Sequence, residues 1–71
     1  MTVQEKMNFI VKQRMIKTGV KQKFLAKKCG YDEKTFSLLI NGYKSIKDRD
    51  VINFCEGMNV DPNEVFSYSS A

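Results

Sequence analysis

The stretch Asp32-Glu33-Lys34-Thr35-Phe36-Ser37-Leu38-Leu39-Ile40-Asn41-Gly42 constrains the chain more than any other. Asp32 opens it as a helix N-cap, because a carboxylate accepts hydrogen bonds from the N–H groups of a first helical turn. Asn41 and Gly42 close it, since both tolerate the left-handed backbone of a helix exit. Between them lie about two and a half turns at ~3.6 residues per turn. Phe36, Leu39 and Ile40 fall at i, i+3, i+4 and form one apolar face. Glu33, Lys34, Ser37 and Leu38 point elsewhere. So short a helix does not persist alone in water. The rest of the chain must therefore hold it.

The flanking sequence supplies more short helices. Thr2-Val3-Gln4-Glu5 has the form of a capping box. It starts a helix that runs to about Lys17, with Val3, Met7, Ile10, Val11 and Met15 inward. Phe9 and Ile16 lie seven apart on a neighbouring stripe; they widen the core face or meet a second chain, and the first is expected in so small a domain. Gly19 is the expected C-cap. A second helix runs from Gln22 to about Cys29, with Leu25, Ala26 and Cys29 inward. Ala26 is small enough to let helix backbones approach. Gly30-Tyr31 is a tight turn, with Tyr31 expected to be partly buried and its hydroxyl near solvent or a phosphate. After the basic loop Tyr43–Lys47, a fourth helix runs from about Asp48 to Met58. Val51, Ile52, Phe54, Cys55 and Met58 are its apolar positions, and Gly57 weakens it. Asp61-Pro62 reads as an N-cap followed by proline at the first helical position. A last turn then buries Val65 and Phe66. The aromatics Phe24, Phe36, Phe54 and Phe66 are all expected in the core. Residues 1–66 are expected to form one all-α domain of five helices, and 67–71 to fray.

Charge is placed unevenly. Residues 12–49 carry eleven Lys or Arg against Asp32, Glu33 and Asp48, a balance of +8, while residues 50–71 carry four acids and no base. A basic middle suits a polyanion partner. There is no His, and Cys29 and Cys55 are too few for a metal framework, so they are expected to be reduced and buried. No cofactor is expected. No nucleophile–base pair or phosphate loop supports an enzyme. No apolar run approaches the ~20 residues of a membrane span and no signal pattern opens the chain, so a cytoplasmic protein is expected.

Two short helices joined by a Gly-containing turn have the form of a helix-turn-helix. Gly19-Val20-Lys21-Gln22-Lys23-Phe24-Leu25-Ala26, then Gly30-Tyr31-Asp32, then Asn41-Gly42, with Met58-Asn59-Val60 and Val65-Phe66 at the end, resembles the lambda repressor/Cro-type helix-turn-helix domains of transcriptional regulators. The resemblance covers residues 7–66. It implies a five-helix lambda repressor-like fold and sequence-specific binding to double-stranded DNA, with helix 32–41 in the major groove. It also implies a repressor acting as a homodimer on a near-palindromic operator. Base contacts are implied for Glu33, Lys34, and Ser37 or Leu38, and phosphate contacts for Gln22 and Asn41. Lys21, Lys23, Lys44 and Lys47 are further candidates for phosphate. Lys23, Lys27 and Lys28 either steer the DNA backbone or form a solvated face.

The chemistry is compatible with these roles. Lysine donates to guanine, a carboxylate accepts from the cytosine amino group, and leucine meets the thymine methyl. Amides that donate to phosphate set register without reading sequence. Three departures stand out. Lys21 occupies a position where the family usually has a Ser cap, Glu33 puts a negative charge near the groove, and Met15 and Ile40 replace an Arg–Glu pair found in many members. Met15 and Ile40 are expected to pack together. The alternative to DNA binding is a protein-interaction module, such as an antitoxin or antirepressor subunit, on the same fold.

Overall fold

The computed structural model describes residues 2–66. Five helices follow in order: α1 (Val3–Thr18), α2 (Gln22–Lys28), α3 (Glu33–Ile40), α4 (Asp48–Met58) and α5 (Pro62–Phe66). The described residues contain no strand. The expected fraying of residues 67–71 concerns positions outside the described residues.

The starts of the helices differ in quality. The capping box of α1 is complete: the Glu5 N–H donates to Thr2 Oγ1 at 3.1 Å, and the Thr2 N–H donates to Glu5 Oε1 at 2.9 Å. Asp61 likewise accepts from the Asn63 N–H at 2.9 Å in front of α5. Lys21 gives α2 no side-chain cap. Asp32 holds the extended N-cap backbone of α3 but makes no capping bond. The hydrogen bond from the Thr35 side chain is the main influence holding its carboxyl pKa below the usual value.

The ends of α2, α3 and α4 share one device. The Tyr31 N–H reaches the Ala26 carbonyl at 2.9 Å, Tyr43 reaches Leu38 at 2.9 Å, and Val60 reaches Cys55 at 2.9 Å. Each is the six-residue closure of a Schellman motif, which needs a left-handed residue just before it. Gly42 supplies that residue after α3 (φ 82°), whereas Asn41 does not (φ −99°). The stop expected from the pair Asn41-Gly42 therefore belongs to the glycine. After α4 the left-handed position is held by Asn59, at φ 57°.

The core is formed by Met7 and Val11 of α1, Leu25 and Ala26 of α2, Phe36 and Ile40 of α3, Val51, Phe54, Cys55 and Met58 of α4, and Val65 of α5. Phe36 and Phe54 stack at its centre, with ring centroids 6.2 Å apart. Cys29 and Cys55 are free thiols and buried. Burial pushes the Cys29 pKa up to about 11, with Cys55 adding to the effect. Met15 packs against this core and Ile40 lies within it.

Gly57 has a second role beyond the helix weakening read from the sequence. A Cβ built there would lie 2.6 Å from Cys29 Sγ and 2.7 Å from both Cys29 Cα and the Lys28 carbonyl oxygen. The end of α2 therefore rests directly on the α4 backbone. Ala26, fully buried, is the small residue on the core face of α2. Arg14 adds a tie between α1 and the end of α4, donating to the Met58 carbonyl at 2.9 Å. A cation there also opposes the negative end of the helix dipole.

Four apolar residues expected inside lie outside. Phe9 is 47 % exposed, Ile16 79 %, Phe24 54 % and Ile52 46 %. Each points away from the stripe its helix buries. The inner faces are already filled by Met7 and Val11, by Leu25 and Ala26, and by Val51, Phe54, Cys55 and Met58.

Candidate nucleic-acid interface

α3 divides its residues sharply. Phe36, Leu39 and Ile40 are each 1 % exposed, while Glu33, Lys34, Leu38 and Asn41 are exposed and Ser37 is half-buried. Lys34, Leu38 and Asn41, spaced i, i+4, i+7, form the outermost line of the helix. Glu33 and Ser37, spaced i, i+4, form the line beside it. All five residues singled out in the sequence thus avoid the buried face.

The C-terminal end of this surface is fixed from α1. Gln4 and Asn8 are one helical turn apart, and both reach the end of α3. The Gln4 side-chain amide donates to the Ile40 carbonyl. The Asn8 amide donates to Asn41 Oδ1 at 3.3 Å. Asn41 in turn donates to the Ser37 carbonyl at 2.8 Å and to Ser37 Oγ at 3.1 Å. Asn41 is therefore held by its own chain on both ends of its amide. Neither Gln4 nor Asn8 stands out in the sequence as a site residue; the signal for them is a pair of amides at i, i+4 on one face of α1.

The loop after α3 is anchored by the same turn. The N–H groups of Tyr43 and Lys44 both converge on the Leu38 carbonyl. Lys44 and Lys47 then line a hollow with Gln4 and Gly42, beside the start of α1. Tyr43 is 81 % exposed next to these lysines and was not singled out in the sequence. An aromatic residue inside a run of bases is the signal that marks it.

On α2, Gln22 is half-buried in the first turn, while Lys21 and Lys23 are exposed. The Lys23 ammonium lies 5.5 Å from the centroid of the Phe24 ring. The turn between α2 and α3 is locked from α4. The Tyr31 hydroxyl donates to an Asp50 carboxylate oxygen, and the Asn53 amide donates to the same hydroxyl at 3.3 Å. Tyr31 is partly buried in the turn, as expected, and its hydroxyl is engaged by α4. Asp50 also accepts from the Lys47 N–H at 3.0 Å. One carboxylate thus joins the turn, the loop and the first turn of α4. Partial burial raises its pKa, but the bonds from Tyr31 and Lys47 and the charges of Lys44 and Lys47 outweigh that and leave it lowered. Burial and the bond to Asp50 raise the Tyr31 pKa.

Two helices, α2 and α3, joined by a Gly-containing turn and braced by α1 and α4, with a polar outer side on the second, define a helix-turn-helix protein. A family model of the Cro/C1-type HTH DNA-binding domain matches residues 11–70, and the chain belongs to that family. The domains of this family bind DNA and are regulatory rather than enzymatic. No curated protein and no solved structure matches the chain with significant similarity. No helix among the described residues is long and apolar enough to cross a membrane.

Proposed function

We infer that this chain is a sequence-specific regulator of transcription, a repressor, that inserts α3 into the major groove of double-stranded DNA. The observation that carries this reading is the division of α3, with three side chains wholly buried and Lys34 and Leu38 exposed beside them. Lys34 is assigned to guanine, Glu33 to a cytosine amino group and Leu38 to a thymine methyl, with Ser37 at a neighbouring base edge. Lys21, Gln22, Lys23, Lys44 and Lys47 are assigned to phosphate. Asn41 is exposed and assigned to the same role, its amide exchanging a bond to Ser37 for one to phosphate on binding.

One short helix reaches few base pairs, so the proposed unit on DNA is a homodimer at a near-palindromic site. Helix-turn-helix dimers place their recognition helices about 34 Å apart, one turn of DNA. The test is selection of bound duplexes from a random pool, followed by salt titration on the selected site. Lys34→Ala should relax preference at one position and cost about 1–3 kcal/mol there. Lys44→Ala should weaken all duplexes alike and lower the salt slope by about one. A pool that returns no enriched sequence would refute the sequence-specific reading.

A further inference from the structure

The outer side of α2 carries an exposed aromatic residue, Phe24, that no proposed DNA contact uses. Phe24 projects from a helix whose Leu25 and Ala26 face the core. At roughly 100° per residue, Lys21, Lys27 and Lys28 all fall within about 60° of Phe24 around the helix, and Gln22 falls nearly opposite. Gln22 and the aromatic ring therefore point to different sides. Phe24, Val20, Gly19 and the lysines 21, 23, 27 and 28 line a surface depression of about 800 Å³. No Asp or Glu occurs anywhere between Lys6 and Tyr31.

We propose that this depression is a docking site for an acidic, amphipathic peptide segment of a protein partner, with one apolar side chain against Phe24 and Val20 and carboxylates against the surrounding lysines. Two features favour that occupant. An exposed aromatic ring loses water only against another apolar group, which phosphate does not provide. The four lysines give charge complementarity to a carboxylate-bearing segment and none to a basic or neutral one. The depression shares no residue with the outer line of α3, but it shares Lys21 and Lys23 with the phosphate contacts proposed above, so Phe24, which no proposed DNA contact uses, is the residue that separates the two readings.

The test uses the full chain and two synthetic helical peptides of equal length, one with Glu on its polar face and Leu and Phe on the other, and one with the Leu and Phe replaced by Ser. Amide shifts in two-dimensional NMR report the site, and fluorescence anisotropy reports affinity. The apolar acidic peptide should perturb residues 19–28, and Phe24→Ala should weaken it at least about thirtyfold, the size of an interface hot spot. Lys27→Glu with Lys28→Glu should weaken it further. Unchanged thermal melting would show that these exposed variants remain folded. Operator binding, measured on the same samples, should survive Phe24→Ala whatever the peptide does. The proposal fails if both peptides bind equally, if neither binds, or if the shifts map to α3. It also fails if Phe24→Ala instead abolishes binding to anionic phospholipid vesicles or a self-association detected by sedimentation.

Discussion

α3 and α2 are neighbours of nearly equal length that treat their aromatic residues in opposite ways. α3 puts Phe36 at the centre of the core, stacked on Phe54. α2 leaves Phe24 more than half exposed among lysines. Both residues sit in amphipathic-looking sequence, and both helices are too short to stand alone. The difference is one of position relative to the packed stripe. Phe36 shares a face with Leu39 and Ile40, whereas Phe24 lies well off the face of Leu25, Ala26 and Cys29. Of these two aromatic residues, the one that lies on the buried side of its helix is core and the one that lies off it is not.

The comparison can be broken by substitution. The largest effect expected is that of Phe36→Ala, a loss of about 3–5 kcal/mol from the lost burial and the cavity. Phe24→Ala should change stability by no more than about 0.5 kcal/mol. Urea unfolding monitored by circular dichroism checks both, and equal losses would erase the distinction between the two helices.

Gly57→Ala sharpens the same contrast, because it asks how α2 is held. Helix propensity alone favours alanine by about 1 kcal/mol. The new methyl would meet the backbone of Cys29 and the carbonyl of Lys28, and overpacking of this kind costs about 1–3 kcal/mol. A net loss of stability is expected, read as a lower urea midpoint. A gain would mean that α2 does not rest on α4 as closely as described.

A smaller effect is expected at the turn between the two helices. Tyr31→Phe removes the hydroxyl that donates to Asp50 and accepts from Asn53, at a cost of about 1 kcal/mol in this partly exposed setting. The melting temperature should fall by a few degrees for a domain of this size. Fluorescence-monitored or calorimetric melting would detect it.

The smallest effect concerns pH. The lowered Asp50 pKa means that folding favours its ionised form. Its contribution is present above the unfolded carboxylate value of about 3.9 and is lost as pH falls through the folded value. Wild type should therefore lose stability on acidification in that window more steeply than Asp50→Asn. Parallel slopes would show that Asp50 takes no part in fastening the turn.

Much of the architecture was legible in local sequence signals. The capping box at Thr2 and Glu5, proline after Asp61, and glycine after α1, α2 and α3 set five helices close to their observed limits. Each signal acts over a few residues through hydrogen bonds or allowed backbone angles, so no knowledge of distant contacts was needed. The same held for the buried face of α3. The errors fell where a side chain's fate depended on another element. Phe9, Ile16, Phe24 and Ile52 are apolar enough for a core, but each lies off the stripe its helix buries and stays exposed. Tyr31 found a carboxylate nineteen residues away.

The sequence by itself determined where helices start and stop, which stripe of α3 is apolar, and that the middle of the chain is basic, because these follow from propensity, periodicity and charge. Only the tertiary structure decided that Gln4 and Asn8 reach across to the end of α3, that Gly57 seats α2, and that Phe24 faces outward. Those outcomes depend on which surfaces come within contact distance once the helices pack, and spacing along a chain does not encode that distance locally.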